Sequence, residues 1–182
     1  MAWPLIVEKR LDLGQYSDRR NGTATEEEVV GQNTLTPSAM SLYWGTMHLI
    51  TDRLLVGSID DAREPPTVIG TLLLVAEEFT IEPAGWVDYR RIPIKEFAEA
   101  DPGTLLQAIE WLEQHVPESR VLVCCRAGMS RSVSVVMAYL CCVEGMTYAD
   151  VLNLVMARRP GAMPLPNLQS AIEQVRLLRL AA

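Results

Sequence analysis

The chain predicts an α/β fold with a mostly parallel central sheet flanked by helices, and three observations carry that prediction. Short apolar runs at residues 54–57, 71–76 and 120–124 have strand length and little alternation, the texture of strands covered on both faces. Helical apolar periodicity dominates the C-terminal half, so strands and helices share one layered core. A glycine-containing loop joins the last apolar run directly to a helix-like segment.

In chain order, residues 1–42 stand apart. They hold Arg19-Arg20, a Glu26-Glu27-Glu28 run and a polar stretch around Pro37, without a clear period. We read them as an N-terminal extension to a domain spanning 43–182. The segments 54–57 and 71–76 read as buried strands, and 87–92 alternates like a strand with one wetter face. From Thr104, apolar residues at 105, 106, 109, 112 and 116 make a helical stripe that Pro117 ends. Residues 120–124 form another buried strand. The segment 130–143 is apolar nearly all round, which predicts a central buried helix, with Ser130 as its cap. Thr147 can cap a helix to about Arg158, with Arg158 and Arg159 near its negative end. Pro160-Gly161 breaks it, and Pro166 opens a last amphipathic helix to about residue 180.

Composition narrows the function. Of 182 residues, 49% are apolar and 21% charged, and the formal net charge is -7. An acidic surface argues against nucleic acid or an anionic membrane as a partner. The four cysteines form two adjacent pairs, Cys124-Cys125 and Cys141-Cys142. Such spacing suits neither a disulfide framework nor a metal site, and the expected setting is the reducing cytoplasm. The segment 1–7 lacks the features of a secretory signal, and no stretch approaches the ~20 apolar residues of a membrane span. Cys141 and Cys142 sit in the apolar helix and read as core residues.

The chemistry concentrates in CRAGMSRS, residues 125–132. Five residues separate Cys125 from Arg131, enough for the backbone to curl once around a phosphate-sized anion with its amides inward. The following helix adds its positive end. Those groups favour a thiolate at Cys125. The planar fork of Arg131 matches two phosphate oxygens. Gly128 permits a backbone angle that a side chain forbids. Ser132 can donate its hydroxyl to the Cys125 sulfur. The amides and side chains of Arg126, Ala127, Gly128, Met129 and Ser130 form the cradle that would hold substrate.

CRAGMSRS resembles the signature of cysteine-dependent protein tyrosine phosphatases, in particular the dual-specificity branch. The likeness extends to ITDRLLVGS at 50–58, LLVAE at 73–77, YRRIPI at 89–94, Arg158-Arg159-Pro160 and Pro166-Asn167. It implies a dual-specificity-phosphatase-like fold and hydrolysis of phosphomonoesters through a phosphocysteine, with no metal or cofactor. Cys125 would be the nucleophile, Arg131 the oxyanion clamp and Ser132 the donor to the leaving sulfur. The substrate would be a phosphorylated protein or a small phosphomonoester. Lacking the tyrosine-recognition elements of the larger tyrosine phosphatases, the pocket is expected to be shallower.

Two positions depart from the family pattern. Cys124 stands where a loop-ordering His is usual, and strand alternation turns it away from the anion. Glu96 stands where the family has an aspartic general acid, with Asp101 as the rival for that role. Other readings stay open: a phosphate-recognition module with weak turnover, a phosphoinositide or RNA 5′-phosphatase, and a rhodanese-type sulfurtransferase. Sequence leaves the oligomeric state undetermined.

Overall fold

The computed structural model describes residues 47–181, so the extension proposed for 1–42 lies outside the described residues. A five-stranded sheet has the order β1-β2-β5-β3-β4. Its strands are β1 (His48–Leu49), β2 (Leu54–Gly57), β3 (Thr71–Ala76), β4 (Asp88–Ile94) and β5 (Val121–Cys124). Only the β1–β2 pair is antiparallel; β2–β5, β5–β3 and β3–β4 run parallel. Every residue of β2, β3 and β5 is buried, which accounts for their unbroken apolar runs. At the sheet edge, β4 alternates. Its register against β3 shifts between Leu74 and Ala76, a bulge of the kind that re-aims the end of a strand.

Among the described residues, five helices accompany the sheet: α1 (Ile59–Arg63), α2 (Pro102–His115), α3 (Arg131–Cys142), α4 (Tyr148–Arg158) and α5 (Leu168–Ala181). In α3, eleven of the twelve residues, Arg131 through Cys141, are buried. It lies against β2, β3 and β5 and also meets α2, α4 and α5. The helix that is apolar all round is therefore the one the others surround. In α2, Leu105, Ile109 and Leu112 are fully or almost fully buried, each worth roughly 1.5–3 kcal/mol of transfer free energy.

Several boundaries differ from the sequence expectation. Asp101, not Thr104, begins α2: its carboxylate accepts from the Thr104 N–H and hydroxyl, both at 2.7 Å. Pro102 follows, where a missing N–H costs nothing. Ser130 occupies the N-cap of α3 without a side-chain cap bond; its carbonyl instead accepts from the Ser134 N–H and hydroxyl. The last helix begins at Leu168 rather than at Pro166. Thr147 does cap α4, accepting from the Asp150 N–H at 3.2 Å. The strand β1 and helix α1 were not anticipated, because two and five residues are too short to show a period. The Ser58–Asp61 capping box did mark α1: Ser58 N–H donates to Asp61 at 2.7 Å and Asp61 N–H to Ser58 at 3.3 Å.

Candidate active site

The parallel strands share one carboxyl edge, and the chemistry gathers there. Cys125 follows β5, Glu78 follows β3, Glu96 follows β4, and Gly57 closes β2. In open α/β sheets this edge is where ligands bind.

The loop after β5 is fastened carbonyl by carbonyl. The Arg126 carbonyl accepts from the Ile59 N–H at 3.2 Å, and that of Met129 from the Met163 N–H at 2.8 Å. Arg159, just past α4, donates to the carbonyls of Ala127 at 2.9 Å and Gly128 at 3.2 Å. With Ser130 held by Ser134, five successive carbonyls are engaged on the outside of the loop. A trans peptide sets N–H opposite C=O, so the amides face the interior. Gly128 makes the curl possible. Its φ is +67°, and a Cβ there would come within 2.7 Å of the Gly57 backbone.

Cys125 lies at the floor, 3% exposed. Burial works to raise its thiol. Hydrogen bonding from the Ser132 side chain and from the backbone of Ser132, Ser130 and Gly128 outweighs that and holds it below the ordinary thiol range. The Sγ–Oγ distance to Ser132 is 3.3 Å. Cys124 is its opposite. Fully buried and paired between Gly57 and Leu74, its thiol is pushed well up, first by burial and then by Asp61 and Cys125. With a thiol where a His was usual, the loop takes its support from Arg159 and the flanking backbone. From the sequence, Arg159 reads as a charge near a helix end and as part of the family likeness, without a role at the loop.

Arg131 is 2% exposed, and its fork is held by a residue the sequence reading missed. Glu78 chelates it through Nη1 at 2.5 Å and Nη2 at 2.6 Å, while Nη1 also donates to the Ile94 carbonyl at 3.1 Å. The pairing lowers the Glu78 carboxyl and raises the Arg131 guanidinium, in each case chiefly through their mutual hydrogen bonds. The two lie 53 positions apart in the sequence. The available signal is a pair of carboxylates, Glu77-Glu78, just past a buried strand.

A cavity of about 360 Å³ opens above Cys125, lined by Glu96, Phe97, Arg126, Ala127, Met129, Ser130, Arg131 and the 163–166 segment. Glu96 lies 3.4 Å from Arg126 and 3.7 Å from Arg131. Asp101 lines a different cavity, with Thr104 and Leu105. Its carboxyl, held low first by the Thr104 hydroxyl and then by the Thr104 N–H, is engaged in capping α2. The structure thus brings Glu96, and not Asp101, to the cavity that holds Cys125. The predicted cradle residues line it too, apart from Gly128, which shapes the turn over Gly57.

Residues 74–176, more than half of the chain, match the family described as dual specificity phosphatase, catalytic domain. The chain belongs to that family. It is 35% identical over 100 residues to the dual specificity protein phosphatase Mpk3 of Drosophila melanogaster, covering 52% of this chain and 24% of that protein. To the MAP kinase phosphatase with leucine-rich repeats protein 3 of Dictyostelium discoideum it is 26% identical over 141 residues, or 74% of this chain and 16% of that protein. The chain therefore spans less than a quarter of the length of these two curated relatives. Among solved structures, a mouse putative dual specificity phosphatase complexed with zinc tungstate superposes with a TM-score of 0.66 at 22% identity. That match covers 84% of this chain and 96% of the mouse chain. It establishes the dual-specificity-phosphatase fold.

Proposed function

We propose that this dual-specificity-phosphatase domain hydrolyses phosphomonoesters of proteins, phosphotyrosine foremost, through a phosphocysteine. The observation that carries the reading is the low thiol of Cys125 beneath inward amides, in one cavity with Arg131 and Glu96. A pure phosphate-recognition module would need the amides and the arginine but not an activated thiol.

In this route the Cys125 thiolate attacks phosphorus in line, and the bond to the ester oxygen breaks. The loop amides and the Nε–Nη2 edge of Arg131 hold the equatorial oxygens, while Glu78 keeps the guanidinium in plane. Glu96 gives its proton to the departing oxygen. Water then attacks the phosphocysteine, Glu96 takes the proton, and the bond to sulfur breaks as the Ser132 hydroxyl stabilises the thiolate. Neither step calls for a metal or cofactor.

We further propose an N-terminal extension over 1–42, a catalytic domain over 43–182, and a cytoplasmic setting. The setting is supported by four free thiols; among the described residues no helix is long and apolar enough to cross a membrane. The test is hydrolysis of an aryl phosphate by the wild type and by Cys125→Ser. Turnover should drop to background in the variant while phosphate or vanadate still binds. Undiminished turnover in Cys125→Ser would sink the mechanism.

A further inference from the structure

Glu78 aims the buried guanidinium of the site, yet the turn that carries it has little backbone support of its own. It follows β3, and residues 77 and 78 are exposed. The amide bonds around it are long. The Glu77 N–H reaches the Ile94 carbonyl at 3.4 Å, and the Phe79 N–H reaches the Ala76 carbonyl at 3.5 Å, both longer than well-formed amide bonds.

Arg91 supplies a stronger anchor. It lies in β4 opposite Leu74 of β3, and its side chain reaches the turn. There Nη2 donates to the Glu77 carbonyl at 2.6 Å and Nε to the Phe79 carbonyl at 2.9 Å. Those two carbonyls flank Glu78, so one rigid fork holds the backbone on both sides of it. Charge-assisted bonds of this length outweigh the long amide bonds, and only arginine offers two such donors in a fixed plane. Arg159 grips the Ala127 and Gly128 carbonyls of the nucleophile loop in the same manner.

The demand on this turn rises when the site is filled. A phosphate in the cavity competes with Glu78 for the guanidinium of Arg131, and a carboxylate on a yielding turn would let that guanidinium swing out of plane. Arg91 itself does not line the cavity above Cys125. We propose that Arg91 is a positioning residue for the reaction: by pinning the carbonyls on either side of Glu78, it fixes the carboxylate that holds Arg131 against the phosphoryl group. This role rests on the phosphatase reading above.

The test is a double-mutant cycle on the full chain, with Arg91→Ala and Glu78→Gln alone and combined, assayed on an aryl phosphate. Arg91→Ala should lower kcat/KM by roughly tenfold, as slight misplacement of a clamping group does. It should cost nothing further once Glu78→Gln has already loosened Arg131. Arg91→Lys keeps the charge and the aliphatic stem but not the fork, so it should fold as the wild type does and lose nearly as much as the alanine variant. Equal losses from Arg91→Ala in both backgrounds, no loss at all, or full activity in Arg91→Lys would each overturn the role. Read as affinity for inorganic phosphate in a Cys125→Ser background, the same cycle needs no turnover. Coupling between Arg91 and Glu78 there upholds the role even if the wild type hydrolyses no ester, an outcome that would overturn only the phosphatase reading.

Discussion

The loop over residues 125–130 and the segment over 95–101 meet at one cavity but are held in opposite ways. Five consecutive carbonyls of the loop are fastened from outside, by α1, Arg159, Met163 and α3. The 95–101 segment is secured near its ends, where the Ile94 carbonyl accepts from Arg131, the Ala100 N–H donates to the Pro166 carbonyl and Asp101 caps α2. Between those points Glu96 makes contacts of 3.4 and 3.7 Å to two arginines, and Phe97 stands in solvent. Dipoles that stabilise a transition state must be aimed before the reaction, because reorienting them costs the energy they would supply. A proton donor must meet substrates of different shape and swap roles between two steps, so a longer tether serves it.

Three perturbations would break or sharpen that contrast. The largest effect is expected at the looser side. Glu96→Gln should lower kcat by about 10²–10⁴-fold on esters with poor leaving groups, the range for a lost general acid. Asp101→Asn, which retains a capping side chain, should stay near wild type. The reverse pattern in steady-state assays would hand the acid role to Asp101. On the fastened side, Arg159→Ala removes the donors to two loop carbonyls. It should cost roughly tenfold to a hundredfold in kcat/KM, as an ångström-scale displacement does, with vanadate inhibition weakened in parallel. A silent Arg159→Ala would mean that the loop holds its shape unaided. The smallest effect concerns the nucleophile. Because Cys125 is held below the ordinary thiol range, its thiolate is lost only as pH falls through that lowered value, and activity should follow. Ser132→Ala removes the strongest hydrogen bond that favours the thiolate, so the midpoint for alkylation by iodoacetate should rise. An unchanged midpoint would assign the low thiol to the amides alone.

What could be read from the sequence divides along the same line. The strands β2, β3 and β5 and the helix α3 were legible because burial on all sides leaves an unbroken apolar run. The loop was legible because Cys125, Gly128 and Arg131 belong to one short stretch. Glu78 and Arg159 were not, since each reaches the loop or its arginine only through the tertiary fold. Asp101 carries a local signal for structure: Asp-Pro before a helical stripe marks a cap and a first turn, which is where α2 begins. Cys125 and Arg131 are local in sequence; their supports are not.

The anion cradle requires Gly57, the 125–130 loop, Arg159 and Met163, drawn from β2, the end of β5, the end of α4 and the stretch beyond it. No partly folded chain lacking α4 can own the cradle, even though it already carries Cys125, Glu96 and Arg131. On the proposed function, an oxyanion bound in the finished cradle would stabilise the whole domain in proportion to its saturation.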